Sequence, residues 1–100
     1  MHVIIWKFTC AENGEAEFEK AYGPKGIWSV FFRKGEGYLG TELLGESQRT
    51  GQFITIDRWI SKEAYDTFRS ANLAEYKALD ERMEPLIEFE SHVGSYTNVE

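Results

Sequence analysis

One hundred residues suffice for one hydrophobic core and fall short of the length at which chains divide, so residues 1–100 are read as a single domain. Seventeen acidic against eleven basic residues leave a net charge of −6 with the lysines and arginines scattered, which excludes the concentrated basic face that nucleic-acid phosphates require. A lone cysteine, Cys10, excludes an internal disulfide and a multi-cysteine metal site, and no run of about 18 apolar residues is present to span a membrane.

Apolar residues form 42% of the chain and aromatic ones 15%, so material for a core is not limiting. The opening MHVIIWKF has a short apolar run broken by Lys7, with no basic region ahead of it. A signal peptide is not expected there, and a cytoplasmic location is.

Residues 2–10, HVIIWKFTC, are rich in β-branched and aromatic types and predict a first strand. Asn13 offers a helix N-cap, and Phe18, Ala21 and Tyr22 give the following helix one apolar stripe. Gly23-Pro24 then interrupts the helical spacing: Gly23 suits a left-handed helix end and Pro24 the first turn of a second helix, which Ile27, Trp28, Phe31 and Phe32 continue. Residues 35–46 and 52–60 predict two strands joined by the turn-like SQRTG. Ser61 is the expected N-cap of a helix carrying Ala64, Tyr65 and Phe68, with a corner at Ala71-Asn72 before Leu73, Tyr76, Leu79 and Met83. Pro85 ends that helix, and residues 86–99 predict a last strand.

Two strand–helix–strand halves, each with a bent helical crossover, make the ferredoxin-like βαββαβ pattern of the α+β class, with a four-stranded antiparallel sheet and helices on one face. Both faces of the first and third strands are apolar: Ile4, Trp6 and Phe8 alternate with Val3 and Ile5, and Ile54, Ile56 and Ile60 with Phe53 and Trp59. An uncovered apolar sheet is rare in monomers, so a homodimer through the open sheet face is expected.

W-x-F at 6–8, YGPKGIW at 22–28, GYLGTELL at 37–44 and TIDRW-x5-Y at 55–65 together resemble the antibiotic biosynthesis monooxygenase family over nearly the whole chain. The resemblance implies a dimeric α+β barrel. Quinone-forming members oxidise aromatic polyketides without a cofactor, using a pocket Trp and a Tyr six positions later, which fall here on Trp59 and Tyr65. Their pocket Asn is replaced by Thr55, and Arg82 is the counterpart the later helix offers for their pocket Arg. Haem-degrading members need an axial His on the second helical region, a helical Trp ten positions before it and an Asn on the first strand, where the nearest positions here hold Lys77 or Ala78, Phe68, and Trp6 or Phe8; without the His there is no obvious iron ligand.

Cofactor-free oxygenation requires that an aromatic ring be positioned, an oxyanion stabilised and water excluded. Trp59 and Tyr65 are the candidate catalytic pair, each open to the alternative of core packing. His92 is a third candidate, since its ordinary pKa suits a base; alternation puts it on one face with Glu88, Glu90 and Tyr96, where a surface or interface role is the alternative. Trp6, Tyr22, Trp28, Thr55 and Phe68 are the expected substrate-binding residues, with Tyr22 also a proton donor or acceptor and packing the alternative for Tyr22 and Trp28. Arg58 projects away from Trp59 and is expected to pair with Asp57, Glu42 or Glu90. No metal-ligand spacing and no phosphate-cradling loop occurs, so no metal or cofactor is expected. The expected function is a cofactor-independent monooxygenase acting on a small aromatic or quinol substrate. Its rivals are a non-catalytic barrel that binds a small ligand and an isomerase or decarboxylase on the same scaffold.

Overall fold

The computed structural model describes residues 1–99. Its order is β1 (His2–Cys10), α1 (Glu15–Tyr22), α2 (Ile27–Phe32), β2 (Tyr38–Gly45), β3 (Gln52–Trp59), α3 (Lys62–Ala71), α4 (Leu73–Met83), a 3₁₀ turn (Glu84–Leu86) and β4 (Ile87–Thr97). The strands lie in the order β2-β3-β1-β4 and every neighbouring pair is antiparallel. This is the ferredoxin-like α+β arrangement predicted from the sequence. No helix among the described residues is long and apolar enough to cross a membrane.

Strand alternation divides the sheet cleanly. Ile4 and Phe8 of β1 and Phe53, Thr55 and Trp59 of β3 are buried beneath the helices, while Val3, Ile5, Ile54 and Ile56 face the other way. On that open face Phe89 remains 67% exposed, and Leu44, Val93 and Tyr96 are exposed nearby. Arg58, also on the open face, pairs with Glu42 across β2 and β3; Asp57, one residue earlier, points to the opposite side and is not its partner.

Two helix ends differ from expectation. Asn13 does not cap α1: it sits at φ 60 in a turn closed by Gly14 N–H donating to Ala11 O at 2.9 Å, and Gly14 takes the N-cap position. Asn tolerates the left-handed region well enough to serve that turn. Gly23 is extended (φ −73, ψ 174) instead of left-handed, because a following proline disfavours helical backbone. Pro24 and Lys25 occupy the centre of a turn closed by Gly26 N–H to Gly23 O at 2.9 Å, so α2 begins after Gly26 and not at Pro24. Gly26 is needed there, since a Cβ would lie 2.2 Å from Ala21 O. At α3 the expected cap forms, with Ala64 N–H donating to Ser61 Oγ at 3.0 Å.

Three irregularities shift the register, one of them at Glu88, between Phe89 opposite Thr9 and Ile87 opposite Cys10. Tyr38 pairs with Trp59 but Gly40 with Arg58, so Leu39 is an extra residue in β2. In β4, His92 pairs with Trp6 and Gly94 with Ile5, so Val93 is extra. The bulge at Val93 overturns the expected grouping of His92 with Tyr96: His92 lies on the helix side and Tyr96, opposite Val3, on the open side.

Candidate functional site

Aromatic rings fill the space between sheet and helices in two connected groups. Phe18 stacks on Tyr22 at 4.3 Å and meets Phe8 and Phe53 beneath α1. Trp59, fully buried, packs against Tyr38, Tyr65 and Phe68 at 5.2, 5.5 and 5.2 Å. Between the groups lies a cavity of about 190 Å³ walled by Trp6, Phe8, Tyr22, Trp28, Phe32 and Tyr76. Thr41, Thr55 and Asp57 supply polar groups from the sheet, and the exposed Arg69, Asp80 and Glu90 stand at the mouth.

The bent crossovers explain why space remains there. The turn at Gly23–Gly26 sends α2 off at an angle to α1, and Trp28 at its start reaches Tyr76 of α4 at 5.4 Å across the gap.

Asp57 is the group at which the electrostatics concentrate. Its Oδ1 accepts a hydrogen bond from Thr41 Oγ1, and its Oδ2 has no partner among the described residues. Burial pushes its carboxyl up to about 6, a rise partly offset by the Thr41 hydroxyl. The Tyr22 and Tyr76 phenols are pushed well above their ordinary value, chiefly by burial, so both remain donors at neutral pH. Glu90 is raised as well, by burial and then by Asp80 and Glu84 beside it.

Trp28 contributes a donor. Its Nε1 is buried and meets no hydrogen-bond partner in the protein at proper geometry, though it lies near enough to the Tyr22 phenol to lower that group slightly. A buried N–H left without a partner costs stability, and this one belongs to a residue of the cavity wall.

Of the residues expected to bind substrate, Trp6, Tyr22, Trp28 and Thr55 meet on the cavity wall, and Phe68 stands behind it against Trp59 and Phe31. The three expected catalytic residues are not on the wall. Trp59 and Tyr65 pack against one another behind it, and His92 lies outside, its ring 5.0 Å from Trp6 and its Nε2 3.2 Å from Ser95 Oγ. Arg69 and not Arg82 reaches the cavity. The sequence offers Asp57 only as an ion-pair partner for Arg58; the signal for its place in the cavity is its alternation with Phe53, Thr55 and Trp59, which puts a lone acid on the buried face.

Neither a family model nor a curated protein matches this sequence. Solved structures do. An MhuD variant with two manganese protoporphyrin IX molecules bound per active site superposes with a TM-score of 0.73 at 19% identity, over 99% of this chain and 95% of that one. A candidate antibiotic biosynthesis monooxygenase from Deinococcus radiodurans gives 0.72 at 16% identity, over 100% and 94%. SnoaB, a cofactor-independent oxygenase from Streptomyces nogalater, gives 0.65 at 18% identity, over 99% and 93%. The chain thus has the fold of the antibiotic biosynthesis monooxygenases, in agreement with the resemblance read from its motifs.

Proposed function

We propose that the protein is a cofactor-independent monooxygenase that oxidises a small phenol-, hydroquinone- or anthrone-like molecule with O₂ inside this cavity. The observation that carries the proposal is Asp57, a carboxylate held near pKa 6 with one free oxygen opening on an aromatic-walled cavity. A base with that pKa is mostly ionised at neutral pH and strong enough to accept the proton of an acidic phenol or of a methylene between aromatic rings. Asp57 Oδ2 takes the proton, while Trp28 Nε1–H and the Arg69 guanidinium stabilise the anion left behind. The electron-rich anion reduces O₂ and the two combine; a methylene becomes a carbonyl, one oxygen atom stays in the product and the other leaves as water. Trp6, Phe8 and Tyr76 hold the ring, and Thr55 is placed to hydrogen-bond a substituent. Trp59 and Tyr65 act from behind the wall by fixing Tyr38 and Phe32, and His92 covers the outer face of Trp6.

A dry cavity of roughly 150 Å³ takes up benzene, so about 190 Å³ holds the reacting ring, and the further rings of a naphthol or anthrone extend through the mouth between Arg69 and Asp80. The porphyrin bound by MhuD does not fit the residues present here. The wall carries no histidine, cysteine or methionine, and burial keeps Tyr22 and Tyr76 protonated, whereas a tyrosine ligand to iron is ionised. The working form in this reading is a cytoplasmic homodimer joined through the open sheet face, where half-buried Val3, Ile5, Ile54 and Ile56 adjoin the exposed Phe89, Leu44 and Tyr96 in an apolar patch that monomers rarely leave uncovered.

The test is oxygen uptake by purified protein across anthrones, naphthols and hydroquinones, with heat-denatured protein as the blank. Saturable uptake that is lost in Asp57→Asn supports the proposal. Thermal stabilisation by the same compounds with no uptake moves the assignment to a non-catalytic binding barrel. Thr55, standing where the quinone-forming enzymes carry Asn, favours that second reading.

A further inference from the structure

A row of hydroxyl groups leads from Asp57 to the corner between α1 and α2. Asp57 Oδ1 is 2.5 Å from Thr41 Oγ1, which is 2.5 Å from the Tyr38 hydroxyl. The Tyr38 hydroxyl is 3.3 Å from Ser29 Oγ, and Ser29 Oγ donates to the Gly23 carbonyl at 3.1 Å. The β2 bulge at Leu39 makes the row possible, because it brings Tyr38 and Thr41, three residues apart, onto one face.

The number of hydrogens in the row depends on the charge of Asp57. Four contacts join five oxygens, and the Gly23 carbonyl at the far end can only accept. When Asp57 is ionised it too can only accept, so three hydroxyl hydrogens must serve four contacts. Thr41 then donates to Asp57, Tyr38 to Thr41 and Ser29 to Gly23, which leaves the longest contact, Tyr38 to Ser29, without a hydrogen. When Asp57 is protonated a fourth hydrogen is present. The carboxyl, turned so that its protonated oxygen faces Thr41, donates to Thr41, Thr41 to Tyr38, Tyr38 to Ser29 and Ser29 to Gly23, and every contact is filled.

We propose that Thr41, Tyr38 and Ser29 are positioning residues that hold the proton of Asp57, and that arrival of this proton closes a hydrogen bond between β2 and α2 beside the cavity. Use of the row in catalysis rests on the function proposed above; the row itself needs no substrate. Burial raises the Asp57 carboxyl, and the extra hydrogen bond of the neutral form acts in the same direction. The other titratable or charged groups on the cavity wall are Tyr22 of α1, Arg69 of α3, Tyr76 and Asp80 of α4 and Glu90 of β4; β1 and α2 present none there.

The test is a carboxyl ¹³C NMR titration of the intact protein, which has three aspartates at 57, 66 and 80. Ser29→Ala removes an acceptor that matters only to the neutral form, two hydroxyls away from the carboxylate. It lowers the Asp57 pKa by about half a unit, the equivalent of one weak hydrogen bond. Thr41→Val removes the donor to the ionised form and raises the pKa by about one unit, and Thr41→Ser restores it. An unmoved Asp57 titration in folded Ser29→Ala overturns the relay. If Ser29→Ala does not fold, the Thr41 pair decides, and a Val variant that titrates like the parent overturns it. Shifted titrations without oxygen uptake leave the relay standing and remove the oxygenase alone.

Discussion

Replacing Asp57 by Asn preserves shape and hydrogen-bonding capacity while removing the charge. The carboxyl titrates near 3.8 in the unfolded chain and near 6 in the folded one. Because the folded pKa is raised, the native state binds this proton more tightly than the unfolded state does. Stability from this group is therefore greatest below about pH 4 and falls as pH rises towards about 6, above which the loss is complete. At about 1.4 kcal/mol per unit, a shift of roughly two units costs the parent protein about 3 kcal/mol. Asn cannot ionise and escapes that cost, so the variant is matched to the parent near pH 4 and more stable than it by up to about 3 kcal/mol at pH 7.5. Urea unfolding of both proteins across this range, at one fixed protein concentration so that any self-association acts on both alike, measures the difference. Other carboxylates move both curves alike and cancel. A stability difference that stays flat between pH 4 and 7.5 refutes the claim that Asp57 is ionised at a cost.

Trp28→Phe keeps the wall but removes the orphaned Nε1–H; binding of a hydroquinone or naphthol, followed by fluorescence, should weaken roughly fivefold to tenfold, one hydrogen bond's worth. Gly35→Ala would put a Cβ 2.7 Å from Phe68 and 2.8 Å from Trp59, and overpacking of that kind costs about 1–3 kcal/mol; an unchanged urea midpoint would contradict the packing described. Phe89→Glu places a charge on the open sheet face, and light scattering should then give the 11.6 kDa mass of the monomer where the parent gives twice that. A parent that is itself monomeric would remove the dimer.

The fold was legible because its signals are local and redundant. Alternation in HVIIWKFTC and QFITIDRW marks β1 and β3, Ser61 caps α3 as its position suggests, and the corner falls at Asn72. The cavity wall was half legible: Trp6, Tyr22, Trp28 and Thr55 were named, but aromatic character alone does not say whether a ring touches a void or fills one, and Trp59 and Phe68 fill. What strand periodicity hides is a bulge. Leu39 and Val93 each add a residue that reverses the faces beyond it, so the partnership of Tyr38 with Thr41 and the separation of His92 from Tyr96 could not be read from spacing. The Gly23-Pro24 break was visible as a corner, but its geometry depends on the proline's effect on its predecessor and not on the glycine's freedom.

The crowding of negative charge at the cavity mouth has a consequence for traffic. Asp80 and Glu90, with Glu84 close to Glu90, confront any molecule that approaches, and Arg69 is the lone cation on the wall among the described residues. A neutral ring passes this gate unopposed, while a benzoate or sulfonate of the same size is slowed by repulsion before its shape is tried. The gate is one of charge, so added salt opens it: at physiological ionic strength the repulsion reaches about 8 Å and at 1 M about 3 Å. Equal entry rates for a hydroquinone and its carboxylate at low salt would contradict this. The chain's surplus of acids thus becomes a filter on charge that favours neutral molecules at the mouth.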